Sequence, residues 1–334
     1  MKNILSAWRA KLRAVPSSRL CAISFVLNFL TVFAAGYATY DGSSVATALQ
    51  FAVPLTIILV CHEAGHFFFG RRAKIQTNYP VFVPLPLPPI GTMGAIMRFR
   101  GPIPNRRALL DMAVAGPIGG LIPSLIAVAL GLSLSNFSTQ APENGGAILD
   151  APLILQGIAA LVLGEGDGAP FVLLHPIAIA GWVGLLITAL NLLPIGQLDG
   201  GHIAYAFLGR KRARILSVVV LTAMCALAAY AHYWGWYVFA LVIACCGAMR
   251  HPRCADDDRQ PLDAPRTVLA LATLCYLCVG SFARPIVVVD PNPFVWRFLA
   301  NSEEPLLVAP FSHYMIESDA DNGMQRASNA QESD

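Results

Sequence analysis

Apolar residues along this chain come in long blocks, not in the alternation of a half-buried strand or the one-sided stripe of a soluble helix. Blocks of spanning length fall at about 20–40, 47–69, 108–132, 171–193, 214–231, 234–249 and 265–283. A bilayer core needs roughly 20 apolar residues per helix. The pattern therefore predicts an all-α polytopic membrane protein with six to seven transmembrane helices, the 214–249 pair being short enough for a tight hairpin. The first block follows a basic segment, as in a signal peptide. It is nonetheless long enough to span and has no clear small-residue cleavage pattern, so it reads as a retained helix.

The segments between blocks carry their own signals. Residues 79–90 hold Pro80, Pro84, Pro86, Pro88 and Pro89, which excludes a helix and favours extended geometry. The Gly-flanked run at 91–100 suits a short strand or hairpin. Together they predict a re-entrant or β-like loop, tolerable at membrane depth only where protein or water satisfies its backbone. The 133–170 connection is rich in Gly, Ser and Asn and is too short for an inserted peptide-binding domain; its apolar stretch 153–163 is expected to lie on the membrane. After Arg284 the chain is Pro-interrupted, then acidic and polar from Glu317 to Asp334, which reads as disorder. The expected organisation is a cytoplasmic basic N-terminus (1–19), a transmembrane domain (20–283) and an extracytoplasmic tail (284–334).

Composition sharpens this picture. Of 334 residues, 56% are hydrophobic and 13% charged, with mean hydropathy +0.58, against roughly 25% charged in soluble domains. A net charge of +3 is too small to suggest nucleic acid. No Lys or Arg occurs between Arg107 and Arg210, and the basic residues cluster at 2–19, 71–107, 210–214 and 250–266. A cytoplasmic N-terminus puts all four clusters inside, leaving out only Arg284, Arg297 and Arg326, as the positive-inside rule requires. The expected location is a bacterial inner membrane. Seven of the eight cysteines lie in apolar segments, where Cys acts as a small hydrophobe, so no disulfide framework is expected.

Chemistry enters at His62-Glu63-Ala64-Gly65-His66, inside the second apolar block. Ionisable groups at membrane depth are costly and mark function. Two His at i and i+4 share a helical face and can bind one zinc, with the Glu beside the first placed to handle the metal's water. A catalytic zinc needs a third protein ligand. Glu143, Asp150, Glu165 and Asp167 fall on the wrong side of the membrane, whereas Asp111 and Asp199 fall on the cytoplasmic side. Asp199 follows Pro194 and Gly196 and precedes Gly200 and Gly201, which break the helix and let the backbone bring the carboxylate towards the histidines. Asp111 reads as a helix cap or an ion-pair partner of the 98–107 arginines. His202 is a neighbour of the site or, as the stronger expectation, part of a short helix leading to Arg210.

The chain resembles the site-2 protease family of intramembrane zinc metalloproteases, in the branch without an inserted PDZ domain. His62–His66 matches the family's HExxH and residues 191–200 match NxxPxxxxDG; Gly116-Pro117-Ile118-Gly119-Gly120 and His251-Pro252 are weaker similarities. The resemblance implies His62, His66 and Asp199 as ligands of one Zn2+ per chain. It implies Glu63 as general base and Asn191 as a group holding the substrate backbone or oxyanion. The substrate implied is a single-span membrane protein, cut in or near its transmembrane segment. Residues 81–99 are the candidate edge for holding that substrate as an added strand. The alternative is a membrane metal-ion transporter using the same His and Asp ligands, which would have no need of Glu63.

Overall fold

The computed structural model describes residues 17–39, 44–86, 90–97, 101, 103–138, 146–149, 151–163, 171–230, 235–245, 254–256, 262–280, 286–289 and 307–308. The chain is mostly helical and is a multi-pass membrane protein. Among the described residues, four helices are long and apolar enough to cross a membrane. They are α1 (Ser17–Thr39), α2 (Val45–Arg72), α3 (Arg106–Ser133) and, later in the chain, α6 (Asp199–Tyr230). Two shorter apolar helices, α4 (Leu153–Leu163) and α5 (Pro176–Asn191), lie between α3 and α6. Helices α7 (Gly235–Cys245) and α8 (Ala264–Gly280) follow.

The ends of these helices follow from local chemistry. Ser44 caps α2 by accepting the Ala46 N–H at 3.1 Å, and Asn105 caps α3 by accepting from Ala108 at 2.9 Å, each satisfying an orphan donor of the first turn. His175 caps α5 with its ring Nδ1, which accepts the Ile177 N–H, and Pro176 follows at the first helical position. At 16 residues α5 is only about 24 Å long, shorter than the 171–193 block suggested, because Phe171–Leu173 form a strand and the helix starts only after its His175 cap, while the bend from Leu192 to Pro194 ends it. Most of α5 is buried, Trp182 completely, and the main core gathers around it from α2 and α3.

The all-α expectation needs correction. The described residues include nine short strands: β1 (Val81–Pro84), β2 (Thr92–Ile96), β3 (Ile103–Asn105), β4 (Asn136–Ser138), β5 (Gly146–Leu149), β6 (Phe171–Leu173), β7 (Cys254–Asp256), β8 (Ile286–Val289) and β9 (Leu307–Val308). Five of the nine have only two or three residues, too few to show a two-residue hydrophobic period. The β1–β2 pair is antiparallel with an irregularity after Phe82, so the β-like loop expected over 79–100 takes the form of a hairpin whose first strand comes from the proline-rich segment. Strands β3 and β7 pair in parallel, and β4-β6-β9-β5-β8 form a third sheet that joins the 136–173 connection to two segments beyond Arg284. The stretch 153–163 is a helix with Leu155 turned into the core and Leu161 exposed. The disorder expected at 317–334, the basic N-terminus up to residue 16 and the His251-Pro252 pair lie outside the described residues.

Two features position the site. The hairpin is tied to α1 by polar groups inside an apolar helix: Ser24 Oγ accepts the Phe82 N–H at 3.1 Å, and Thr92 Oγ1 donates to Asn28 Oδ1 at 2.7 Å. Second, α6 is interrupted at Gly209 (φ 74°, ψ 166°), a conformation that only glycine adopts readily. Its second arm corresponds to the apolar block at 214–231.

Candidate metal centre

The Nε2 atoms of His62 and His66 lie 3.1 Å apart on one face of α2. From the start of α6, Asp199 brings its carboxylate oxygens to 3.3 Å from His62 Nε2 and 3.2 Å from His66 Nε2. Both imidazoles are buried, as is Glu63, with 8% of its surface exposed. Among the described residues this is the group of metal-ligating side chains that converges.

The fit to a metal can be tested on these atoms. A tetrahedral site with bonds near 2.0–2.1 Å separates its ligand atoms by about 3.3–3.4 Å, close to the three distances seen. The donor set agrees. His66 Nδ1 lies 2.9 Å from the Met112 carbonyl, an acceptor, so Nδ1 carries a hydrogen and Nε2 is the nitrogen turned inward. It meets a carboxylate and a second imidazole nitrogen. Two imidazole nitrogens and a carboxylate drawn this close need positive charge among them, a shared proton or a metal ion, and two imidazoles with one carboxylate are a donor set that suits zinc. The Met112 carbonyl also fixes ring orientation, the usual task of a ligand's outer partner.

Close helix packing makes the arrangement possible. A Cβ on Gly116 would fall on the His66 ring, and one on Gly120 would press His62 Cβ and Nδ1 at 3.0 Å. On α2, a Cβ on Gly65 would strike the Ala115 carbonyl. Gly116 and Gly120 therefore form the cradle in which both histidines lie. Across the site, Asp199 is delivered by a tight bend in which Gly196 has φ 51°. A Cβ on Gly200 would meet the Leu192 carbonyl and one on Gly201 the Gly196 carbonyl, so the two glycines after Asp199 are required for the bend itself.

Of the residues singled out from the sequence, His62, His66 and Asp199 come together, with Glu63 buried next to His62 on the same helix. Asn191 ends α5 with its Nδ2 3.5 Å from His62 Nε2, at the rim of the group. His202 is buried on the first arm of α6. Asp111 is not part of the group. Its carboxylate takes two hydrogen bonds from Arg266 on α8, at 2.7 and 2.8 Å, an ion pair with a later basic cluster than the 98–107 arginines expected from the sequence. Two contributors had no sequence signal of their own: the Met112 carbonyl, which any residue could supply, and Ser217, whose hydroxyl contacts the 194–196 bend.

Comparison with known proteins agrees with this geometry. Residues 50–230 match the family model described as Peptidase family M50. The chain is 35% identical over 201 residues to the probable zinc metalloprotease EGY2, chloroplastic, of Arabidopsis thaliana, covering 57% of this chain and 34% of that protein. It is 36% identical over 205 residues to the probable zinc metalloprotease EGY1, chloroplastic, of the same plant (58% and 36%). It is 32% identical over 213 residues to the probable zinc metalloprotease EGY3, chloroplastic, of Oryza sativa subsp. japonica (56% and 34%). The chain thus spans about a third of the length of these relatives, and their chloroplast location lends no support to the bacterial membrane expected from the sequence. No solved structure matches. With the family model matched over more than half its length and both motifs inside the matched span, the chain belongs to peptidase family M50, the site-2 protease family.

Proposed function

We propose that the protein is an intramembrane zinc endopeptidase that hydrolyses a peptide bond in or near the transmembrane segment of a single-span membrane protein. The observation that carries this reading is the convergence of His62, His66 and Asp199 with a buried carboxylate, Glu63, one residue from the first histidine. In this reading the two imidazoles and Asp199 hold the metal. Zinc, when bound, lowers the pKa of water to roughly 7 and acts as a Lewis acid. Glu63 accepts the proton from the attacking water and returns it to the leaving amide nitrogen. Asn191, at the rim, holds the substrate backbone or the developing oxyanion through its side-chain amide.

A helical substrate hides its carbonyls, so it must be held extended, and the β1–β2 hairpin offers an edge for this. The outer edge of β1 is closed to a further strand. Pro80 and Pro84 have no N–H, and the Phe82 N–H is taken by Ser24. Because that N–H points away from β2, the Phe82–Ala95 pair is the non-hydrogen-bonded kind, and Ala95 directs its own N–H and C=O off the far edge of β2. The β2 edge is therefore the one available for a substrate strand.

Seven crossings with a cytoplasmic N-terminus keep the four basic clusters on one side. The region 20–283 is then the catalytic unit, between a cytoplasmic 1–19 segment and an extracytoplasmic 284–334 tail. The site lies towards the cytoplasmic side, near Arg71 and Arg72. The alternative of a metal-ion transporter makes a different prediction in one experiment. Purified protein in liposomes, supplied with zinc and a model single-span protein carrying a helix-weakening Gly or Asn, should release cleaved fragments without accumulating zinc in the lumen. Zinc uptake without cleavage would establish the transporter instead.

A further inference from the structure

We infer that Ser217, on the second arm of α6, is the positioning residue that holds the Asp199 bend in register with the two histidines. The inference rests on the reading of Asp199 as a zinc ligand. In a straight helix Ser217 would lie about 27 Å from Asp199. The break at Gly209 instead folds the second arm back, with the Arg106 guanidinium packed where a Gly209 side chain would be. Ser217 is completely buried, and its Oγ accepts the Gly196 N–H at 3.0 Å. The Ser217 hydroxyl faces two carbonyls, Ala213 at 2.8 Å and Pro194 at 3.2 Å, and donates to one of them.

As Ser24 does for the hairpin, Ser217 departs from the simpler bonding of other buried hydroxyls. Ser124, Thr188 and Thr273 each donate to the carbonyl four residues earlier, a common way to satisfy a buried hydroxyl. Ser217, whichever carbonyl takes its hydrogen, also grips a backbone amide of the bend that ends in Asp199. Gly196 lies at positive φ, three residues before the carboxylate. An unanchored bend there is free to swing Asp199 off the two Nε2 atoms. Residues that orient a metal ligand from outside typically account for about 10–100-fold in metal affinity.

The test is zinc affinity of the purified full chain, measured by chelator competition, for wild type, Ser217→Ala and Thr273→Ala. Ser217→Ala should bind zinc about 10–100-fold more weakly, while Thr273→Ala, which loses only an intrahelical bond, stays within about twofold. Hydrogen exchange on the metal-free protein supplies a readout independent of zinc, and the Gly196 amide should exchange faster in Ser217→Ala. If the alanine variant is not recovered folded, Ser217→Cys, close in size and a poor hydrogen-bond partner, serves in its place. A folded Ser217 variant with wild-type zinc affinity and wild-type Gly196 exchange would overturn the inference and leave the zinc site standing. Failure of the wild type itself to bind zinc would instead remove the zinc reading, and this inference with it.

Discussion

At the scale of single residues, the site depends as much on absent side chains as on the ligands. Gly116 leaves room for the His66 ring, so Gly116→Ala should displace that imidazole and cost most of the bound zinc, whereas Gly94→Ala, whose Cβ meets nothing within 4 Å, should leave zinc content unchanged despite some backbone strain at φ 84°. Metal analysis of the two purified variants decides this, and full zinc in Gly116→Ala would contradict the cradle. Asp199→Ala should also lose most of its zinc, because two imidazoles alone underligate the ion. Full retention there would place the third ligand elsewhere. His62, Glu63, His66 and Asp199 were legible in the sequence because ionisable side chains are too costly at membrane depth to persist there without a task. The Met112 carbonyl was not legible, since a backbone acceptor leaves no trace in residue identity. The partner of Asp111 was misjudged for a related reason: Arg266 is distant in sequence and adjacent only in space.

Among the elements, those that shape the site depart from regular helices. Helix α5 stops early so that Asn191 and the following bend reach the histidines, and α6 folds back at Gly209. Prolines and glycines in the sequence pointed to the bend at 194–201, and the arginine cluster after Gly209 separated the short helix from the apolar block at 214–231, but nothing local to Gly209 gives the direction in which the chain turns back there. The hairpin was legible from its prolines and glycines; its anchorage to α1 was not, although Ser24 and Asn28 are polar residues in an apolar helix. Removing that anchorage should loosen the substrate edge without touching the metal. Ser24→Ala and Asn28→Ala should each raise KM for a single-span substrate about fivefold, the equivalent of about 1 kcal/mol for one net hydrogen bond, with zinc content unchanged. An unaltered KM in both variants would argue against substrate addition at the β2 edge.

For the whole molecule, hydropathy made the multi-pass membrane character legible, with four helices of spanning length among the described residues, whereas the sheets were not. The five-stranded sheet draws on segments between residues 136 and 308, and nothing local to any one strand names its neighbour. Orientation has a direct check: reporters fused after Arg72 or after Lys211 should read cytoplasmic, and one within 136–165 should read external. A reversed pattern would invert the side on which the substrate is cut. The central claim, that this membrane protein is a zinc endopeptidase with Glu63 as its base, is tested most directly by Glu63→Gln. Gln preserves size and helix propensity, so zinc content should stay near wild type. Cleavage of a model single-span substrate in liposomes should fall about 10²–10⁴-fold, the usual loss for a positioned general base. Near-wild-type cleavage by the zinc-loaded Glu63→Gln protein would contradict the mechanism.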